Sequence, residues 1–496
     1  MPKPAPRKPK VSVPKRPISK KDQSVAPQAS FQSWQSVGIS RLRRSLYGSA
    51  PQDLRRDMSA YDRLAMVKKC RWAERNSGLF KQILGDVVLY TCGDGIKPQS
   101  HCDDPEKAKM YEEYFLEKAK RIDITNRFSF WQAQAIAIRG MVRDGDFYVA
   151  KVRNATGEAK LQLMEGHRVG NPIQGEVPPA GMHDGVQFGP YGELISFNVY
   201  KSDGSDRSIL AQSMMHIVDH EYASGARGVP VLQHALNTIQ DEMDILELEK
   251  LAVKDNADVT RVIKKTGGYV DGDLAAELGA GLSSNYENIH ARMGGKLLAL
   301  EPGEDFQSFS SNRPSPAFTG FLTALRREIA AGVLPFEFVD DASKIGGATV
   351  RLITAKAARV FGKYQNIIIE QMCIPTWGYI IGQAIADGEL PDDPNWTRTS
   401  WTTPKSVTVD AGRDAANDRA DVELGLLSMS EIYAQRGLDF RTEMEKRAND
   451  MAYITSLAKE HGLPFELLYK PQNVQPGTVD PLAQSPVETP PPPSNE

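Results

Sequence analysis

Residues 313–386 constrain the fold of this chain more than any other stretch. Ser315-Pro316 suits a helix start: the serine hydroxyl can accept from an orphan amide, and proline at the first helical position gives up no needed donor. Phe318, Leu322, Leu325 and Ile329 recur at steps of four, three and four, which makes one apolar stripe. Gly332 supplies the left-handed residue that ends helices. Residues 333–348 mix apolar side chains with Glu337, Asp340, Asp341 and Lys344 and finish on Gly346-Gly347, which fits a charged, mobile loop better than any regular element. From about Thr349 a helix runs past Ile385, with Ile353, Ala357, Val360, Tyr364 and Ile367 on one face. Pro375 removes a backbone donor inside it and predicts a kink near residues 371–375. The order is helix, charged loop, long helix.

A chain of 496 residues suggests roughly three domains or one elaborate one. With 41% hydrophobic and 25% charged residues it can bury a large core. The net charge of −3 does not suggest a protein that wraps DNA tightly. No segment has the apolar length to span a bilayer, and no signal-peptide core is visible. Cys70, Cys92, Cys102 and Cys373 are too few and too scattered for a disulfide scaffold, which leaves four free thiols.

Residues 1–30 are basic and proline-rich, and residues beyond Lys470 are proline-rich; both are expected to be disordered. The segment from Phe31 to Arg75 reads as amphipathic helix and Leu79–Val88 as a second helix. Residues 105–145 read as two more, with Trp131, Ala135, Ile138 and Val142 on the apolar face of the latter. Asp146–Val152 and Leu161–Met164 alternate as strands, and Tyr191-Gly192-Glu193-Leu194 turns a hairpin into Ile195–Tyr200. A turn at Gly225–Pro230 starts a helix through Asp258, with Leu232, Leu236, Ile239, Met243 and Leu246 inward and Asp241, Glu242, Asp244, Glu247 and Glu249 crowded along it. Arg261–Ile263 and Lys296–Leu300 look like strands of an insert, with a helical patch at Asp273–Leu278. Trp396 and Trp401 read as packing anchors. Two charged helices then follow, broken at Gly437, one carrying Val422, Leu426, Met429 and Tyr433 and the other spanning Met444–Leu457.

His216 and His220, with Asp219 and Glu221, form the one metal-like cluster. On a helix two histidines four apart can share zinc. Their surroundings read as a strand, where that spacing separates them by roughly 13 Å. The sequence holds no Walker-type phosphate loop, no Gly-x-Ser-x-Gly elbow and no His-Glu-x-x-His helix. Paired acids such as Asp392-Asp393 suit turns as well as catalysis. No active site, metal or cofactor is read from the sequence.

Ile329-Ala330-Ala331-Gly332-Val333-Leu334-Pro335-Phe336-Glu337 resembles the corresponding segment of lambda-type phage portal proteins. Gly93-Asp94-Gly95-Ile96-Lys97-Pro98, Asp144-Gly145-Asp146-Phe147, Leu161–Glu165, Gly225–Pro230 and Leu300-Glu301-Pro302-Gly303-Glu304 match the family pattern in order, over about residues 35–470. One departure is Ile345-Gly346-Gly347-Ala348 ahead of Arg351, where the family carries an Asn-Tyr-Ser-Ser-like run.

The resemblance implies an α+β portal fold: a mixed wing, a helical stem, a small α/β clip and a helical crown, assembled as a ring around a channel. Its divisions are an arm at 1–30, the wing at 31–228, stem helices at 229–258 and 313–332 around a clip at 259–312, and a tunnel loop at 333–348. The long kinked helix and its return to the wing span 349–412, the crown helices 413–470 and the tail 471–496. It further implies a dodecamer at one capsid vertex, through which double-stranded DNA passes without sequence preference. The implied partners are the terminase large subunit as motor, the major capsid protein and scaffold, and head-completion and tail connector proteins, with no membrane. In the channel Glu337, Asp340 and Asp341 would repel phosphates while Lys344 supplies weak contacts. A metal-dependent phosphoesterase and a monomeric capsid-associated scaffold remain open alternatives.

Overall fold

The computed structural model describes residues 53–172, 179–258, 261–264, 297–300, 316–340, 346–405, 407, 411–436, 438 and 440–468. The arm at 1–30, the tail from 471, the patch Asp273–Leu278 and Gly437 lie outside them. After the short α1 (Leu54–Asp57), Ser59 opens α2 (Ala60–Asn76) by accepting from the Asp62 amide at 3.1 Å. Ser77 begins α3 (Gly78–Cys92) in the same way, which breaks the helical run where the sequence suggested. β1 (Lys97–Ser100) follows, then α4 (Pro105–Ala119) behind an Asp104 cap and α5 (Phe130–Asp144) behind a Ser129–Gln132 capping box. Of the expected α5 face, Ile138 and Val142 are buried but Trp131 and Ala135 only half so, and Phe130, Ala133, Ala137 and Met141 widen the inner face. A close approach sets this face, because a Cβ on Gly140 would lie 2.5 Å from the Phe147 ring.

β2 (Asp146–Arg153) pairs antiparallel with β3 (Ala159–Glu165) on one side. A four-stranded antiparallel sheet runs β4 (Met182–His183), β5 (Val186–Phe188), β6 (Leu194–Tyr200), β7 (Asp206–Leu210). The hairpin between β5 and β6 is the one expected, its turn held by the Tyr191 amide donating to the Glu193 carboxylate at 2.9 Å. β8 (Met214–Val218) then returns to the other side of β2. Tyr148, Met164, Val186, Phe197, Val199 and Met214 form an apolar cluster drawn from both sheets.

The helix expected from residue 229 starts later, as a 3-10 turn at Gln233–Ala235 and then α6 (Leu236–Asp258). Residues 225–232 are held elsewhere: the Val231 amide donates to the Val142 carbonyl at 3.1 Å. β9 (Arg261–Lys264) and β10 (Leu297–Leu300) form a parallel pair, in agreement with the two expected strands. α7 (Pro316–Ala330) and the one-turn α8 (Phe336–Val339) lead to α9 (Gly347–Ile368). The interruption expected at Pro375 is a π-helical turn, Ile369–Cys373, before α10 (Ile374–Ala386). The inner face of α9 is Thr354, Ala357, Phe361, Tyr364 and Ile368, one residue off the expected stripe at three positions.

β11 (Thr399–Thr402) pairs antiparallel with β1 and closes a link across some three hundred residues. Trp401 packs on Phe115 and Phe130, and the Trp377 indole donates to the Trp396 carbonyl at 3.0 Å, so both tryptophans do anchor the core. The first of the two charged helices is in fact divided into α11 (Ala411–Glu423) and α12 (Met429–Gln435). Ser428 and Glu431 form a reciprocal cap that restarts the chain between them. α13 (Phe440–Glu460) and the short α14 (Phe465–Leu468) end the described chain. α3, α4, α5, α9, α10 and one face of the three-stranded sheet of β3, β2 and β8 share a single apolar core.

Candidate functional site

The residues read as channel-facing lie at the junction of α7, α8 and α9. Gly332, with φ of +86°, ends α7 and turns the chain toward Val333 and Leu334, both buried. α8 buries Phe336 and Val339, so the first half of the expected loop is a packed element. Phe338 lies 5.4 Å from the Tyr90 ring and 5.7 Å from Phe361, which itself stacks on Tyr90 at 5.2 Å. Gln82 of α3 donates to the Val339 carbonyl. Glu337 pairs with Arg327 at 3.2 Å, and Asp340 lies 3.8 Å from Arg326. Arg326 also holds the buried Glu242 of α6 at 2.7 Å, joining α6, α7 and the end of α8. Two of the four residues read as channel charges are therefore paired within the chain. Asp341 and Lys344 lie outside the described residues.

A second charged centre was not legible as a centre in the sequence, although its parts were. Asp144–Phe147 and Gly225–Pro230 meet back to back: a Cβ on Gly228 would lie 1.9 Å from the Gly145 carbonyl oxygen, and Gly145 has φ of +97°. The contact delivers Arg227, 2% exposed, to Asp146, 0% exposed. Its guanidinium donates Nε to Oδ2 at 2.6 Å and Nη2 to Oδ1 at 3.1 Å. The remaining donors reach the carbonyls of Gly166 at 2.6 Å, Val169 at 2.8 Å and Asp184 at 2.9 Å. All five N–H groups of the fork are used. Arg63 of α2 pairs with the Asp184 carboxylate from the other side. Burial alone would raise the Asp146 carboxyl, but Arg227 and His216 beside it hold it well below the ordinary carboxylate range.

His216 and His220 come closer than a continuous strand would allow. β8 ends at Val218, the chain turns, and the two rings meet edge to face with centroids 5.9 Å apart. His216 stacks on Tyr148 at 4.6 Å. Its Nε2 lies 3.6 Å from the Asp146 Oδ2, an electrostatic contact beyond hydrogen-bond reach, and has no hydrogen-bond partner. Burial pushes the pKa of His216 down although Asp146 pulls it up; burial, then His216, push that of His220 down. Among the described residues no group of three or more His, Cys, Asp or Glu side chains is placed to hold a metal ion. Among them, too, no helix is long and apolar enough to cross a membrane.

A cleft of about 530 Å³ between α4, β3 and α10 repeats the theme: Lys118 pairs with Glu158 at 2.9 Å, Arg153 with Asp387 at 3.6 Å, and Tyr114 donates to Glu389. The chain belongs to the lambda family of phage portal proteins, a structural, non-enzymatic family whose model matches residues 43–365. Among solved structures, the neck of an empty gene transfer agent particle with C6 symmetry is 18% identical, covering 76% of this chain and 93% of that one at a TM-score of 0.41. The neck of the native particle with C12 symmetry is 16% identical, covering 77% and 94% at 0.42. An HK97-family phage portal protein from Corynebacterium diphtheriae is 11% identical, covering 66% and 92% at 0.31. None of the curated proteins matches.

Proposed function

We propose that this chain forms a twelve-membered ring at one vertex of a phage capsid, the conduit through which genome DNA is packaged and ejected. Membership of residues 43–365 in the lambda portal family carries this reading. In it, residues 259–312 form the clip on which the terminase large subunit docks and supplies the energy of translocation. The major capsid protein and scaffold hold the ring from outside, and head-completion and tail connector proteins follow once packaging ends. Assembly takes place in the host cytoplasm.

The loop expected at 333–348 reaches the channel only beyond its packed first half, whose root is fixed by Phe338 against Tyr90 and Phe361. Because Glu337 and Asp340 are held by Arg327 and Arg326, their repulsion of DNA is weaker than that of free carboxylates. Any phosphate contact from Lys344 is sequence-independent and falls with salt. Twelve copies of a 54.8 kDa chain sum to about 660 kDa in a closed cyclic assembly. Native mass and electron micrographs of the purified protein test this; a species that stays monomeric or dimeric at high concentration overturns it. Asp340→Lys with Asp341→Lys is expected to hinder DNA packaging in intact rings, and unchanged packaging would sink the charge argument.

A further inference from the structure

Two exposed helical stripes of this chain are complementary and have no partner among the described residues. On α6 the residues Asp241, Asp244 and Leu248 stand on one outward face, all exposed, with Leu248 at 64%. Their spacing, three and then four residues, follows one side of a helix. On α9 the outward face carries Leu352, 57% exposed, then Lys356 and Arg359, at steps of four and three. Read in opposite directions the two stripes have the same spacing and opposite charge: leucine, acid, acid against leucine, base, base.

None of Asp241, Asp244, Lys356 and Arg359 makes an ion pair or side-chain hydrogen bond among the described residues. This is unlike the neighbouring Glu242 and Lys363, which are held by Arg326 and Asp219. The two helices also pack on different neighbours, α6 on α2 and α7, and α9 on α3, α5 and α8. A self-complementary pair of unlike faces on one chain is what a head-to-tail ring contact requires, since each copy must offer both halves.

We infer that α9 of one copy docks antiparallel on α6 of the next, with Leu352 against Leu248, Lys356 against Asp244 and Arg359 against Asp241. The inference rests on the ring reading and names the contact that closes the ring. The leucine pair excludes water at one end, and the ion pairs fix register and reject like-charged alignments.

Charge reversal in the full chain tests it. Asp241→Lys with Asp244→Lys reverses one face, and Lys356→Glu with Arg359→Glu reverses the other. At the concentration where the wild type is half assembled, each double variant is expected to lose ring population by at least tenfold, because the penalty is repeated at every contact of the closed ring. The thermal midpoint of each variant verifies that the fold survives. An equimolar mixture of the two is expected to restore rings, with even copy numbers only because the variants must alternate. The fourfold exchange within one chain is expected to restore them as well.

Wild-type ring levels in both double variants, or no recovery on mixing, overturns the interface while leaving the portal reading intact. Rings that persist in the Lys356→Glu, Arg359→Glu variant with reduced DNA retention overturn it too, and make the basic stripe a phosphate surface. A wild type that never assembles overturns the ring reading first and this contact with it.

Discussion

Arg227 shows how one side chain can fix several elements at once. Its fork spans β2, the turn at Gly166–Val169 and the loop at Asp184, and every N–H has an acceptor. Removing it leaves the Asp146 carboxylate buried without its counter-ion, so Arg227→Ala is expected to lower unfolding free energy by about 3–5 kcal/mol in denaturant titrations. Lysine keeps the charge but not the planar fork, and Arg227→Lys should recover only part of that. His216 adds a pH dependence of definite sign. Its pKa is lower folded than unfolded, so its stability contribution is complete above the ordinary histidine range and is lost as pH falls below about 6.5. Asp146, held low, acts in the same direction only below about pH 4. Stability should therefore fall by up to about 1.4 kcal/mol per pH unit for one proton from pH 6.5 downward. His216→Phe should flatten that window, leaving the part due to His220 and the carboxylate limb.

At the scale of elements, two glutamines hold backbone edges as a neighbouring strand would. Gln134 of α5 accepts from the Ile96 amide and donates to its carbonyl, both at 2.9 Å. Gln371 does the same for Val218 at the end of β8, at 2.7 and 3.0 Å. Gln371 sits in the π-helical turn, where the extra residue turns the helix face and presents its amide to the sheet edge. Gln371→Ala leaves both Val218 groups without these partners and is expected to cost about 1–3 kcal/mol, read as a lower denaturation midpoint at unchanged slope. The Arg326 latch invites a similar test. Arg326→Met strands the buried Glu242 and frees Asp340, and it should speed proteolysis at residues 331–340 more than elsewhere, since local opening limits cleavage there.

For the molecule as a whole, one core reaches from α2 to α10, and three of its cysteines report on it. Cys70, Cys92 and Cys373 are at most 1% exposed. Burial pushes the thiols of Cys70 and Cys92 up to about 12 and raises that of Cys373 as well. Thiolate is the reactive form. An alkylating reagent at neutral pH should modify no more than one cysteine per chain quickly in the native protein and all four in denaturant, as intact-mass spectrometry would read. Rapid modification of two or more would mean that the core opens far more readily than its packing implies.

The sequence by itself determined the order of elements around residues 313–386, the hairpin, the paired strands of the insert and the family. Periodicity, turn residues and caps act within a few positions, and they are written in the chain. It placed the α5 face and the α9 face slightly wrong, because tertiary neighbours select which side of an evenly apolar helix is buried; Gly140 against Phe147 is the case in point. It missed the late start of α6 and the division between α11 and α12, where backbone groups were claimed by distant carbonyls or by a local cap. Asp146 and Arg227 stood in two family motifs some eighty residues apart, and no spacing rule joins them. Only the folded chain could decide that they meet, that His216 and His220 approach, and that Glu337 and Asp340 face arginines. Ion pairs depend on distances of a few ångströms between segments remote in sequence, and tertiary packing alone sets those distances.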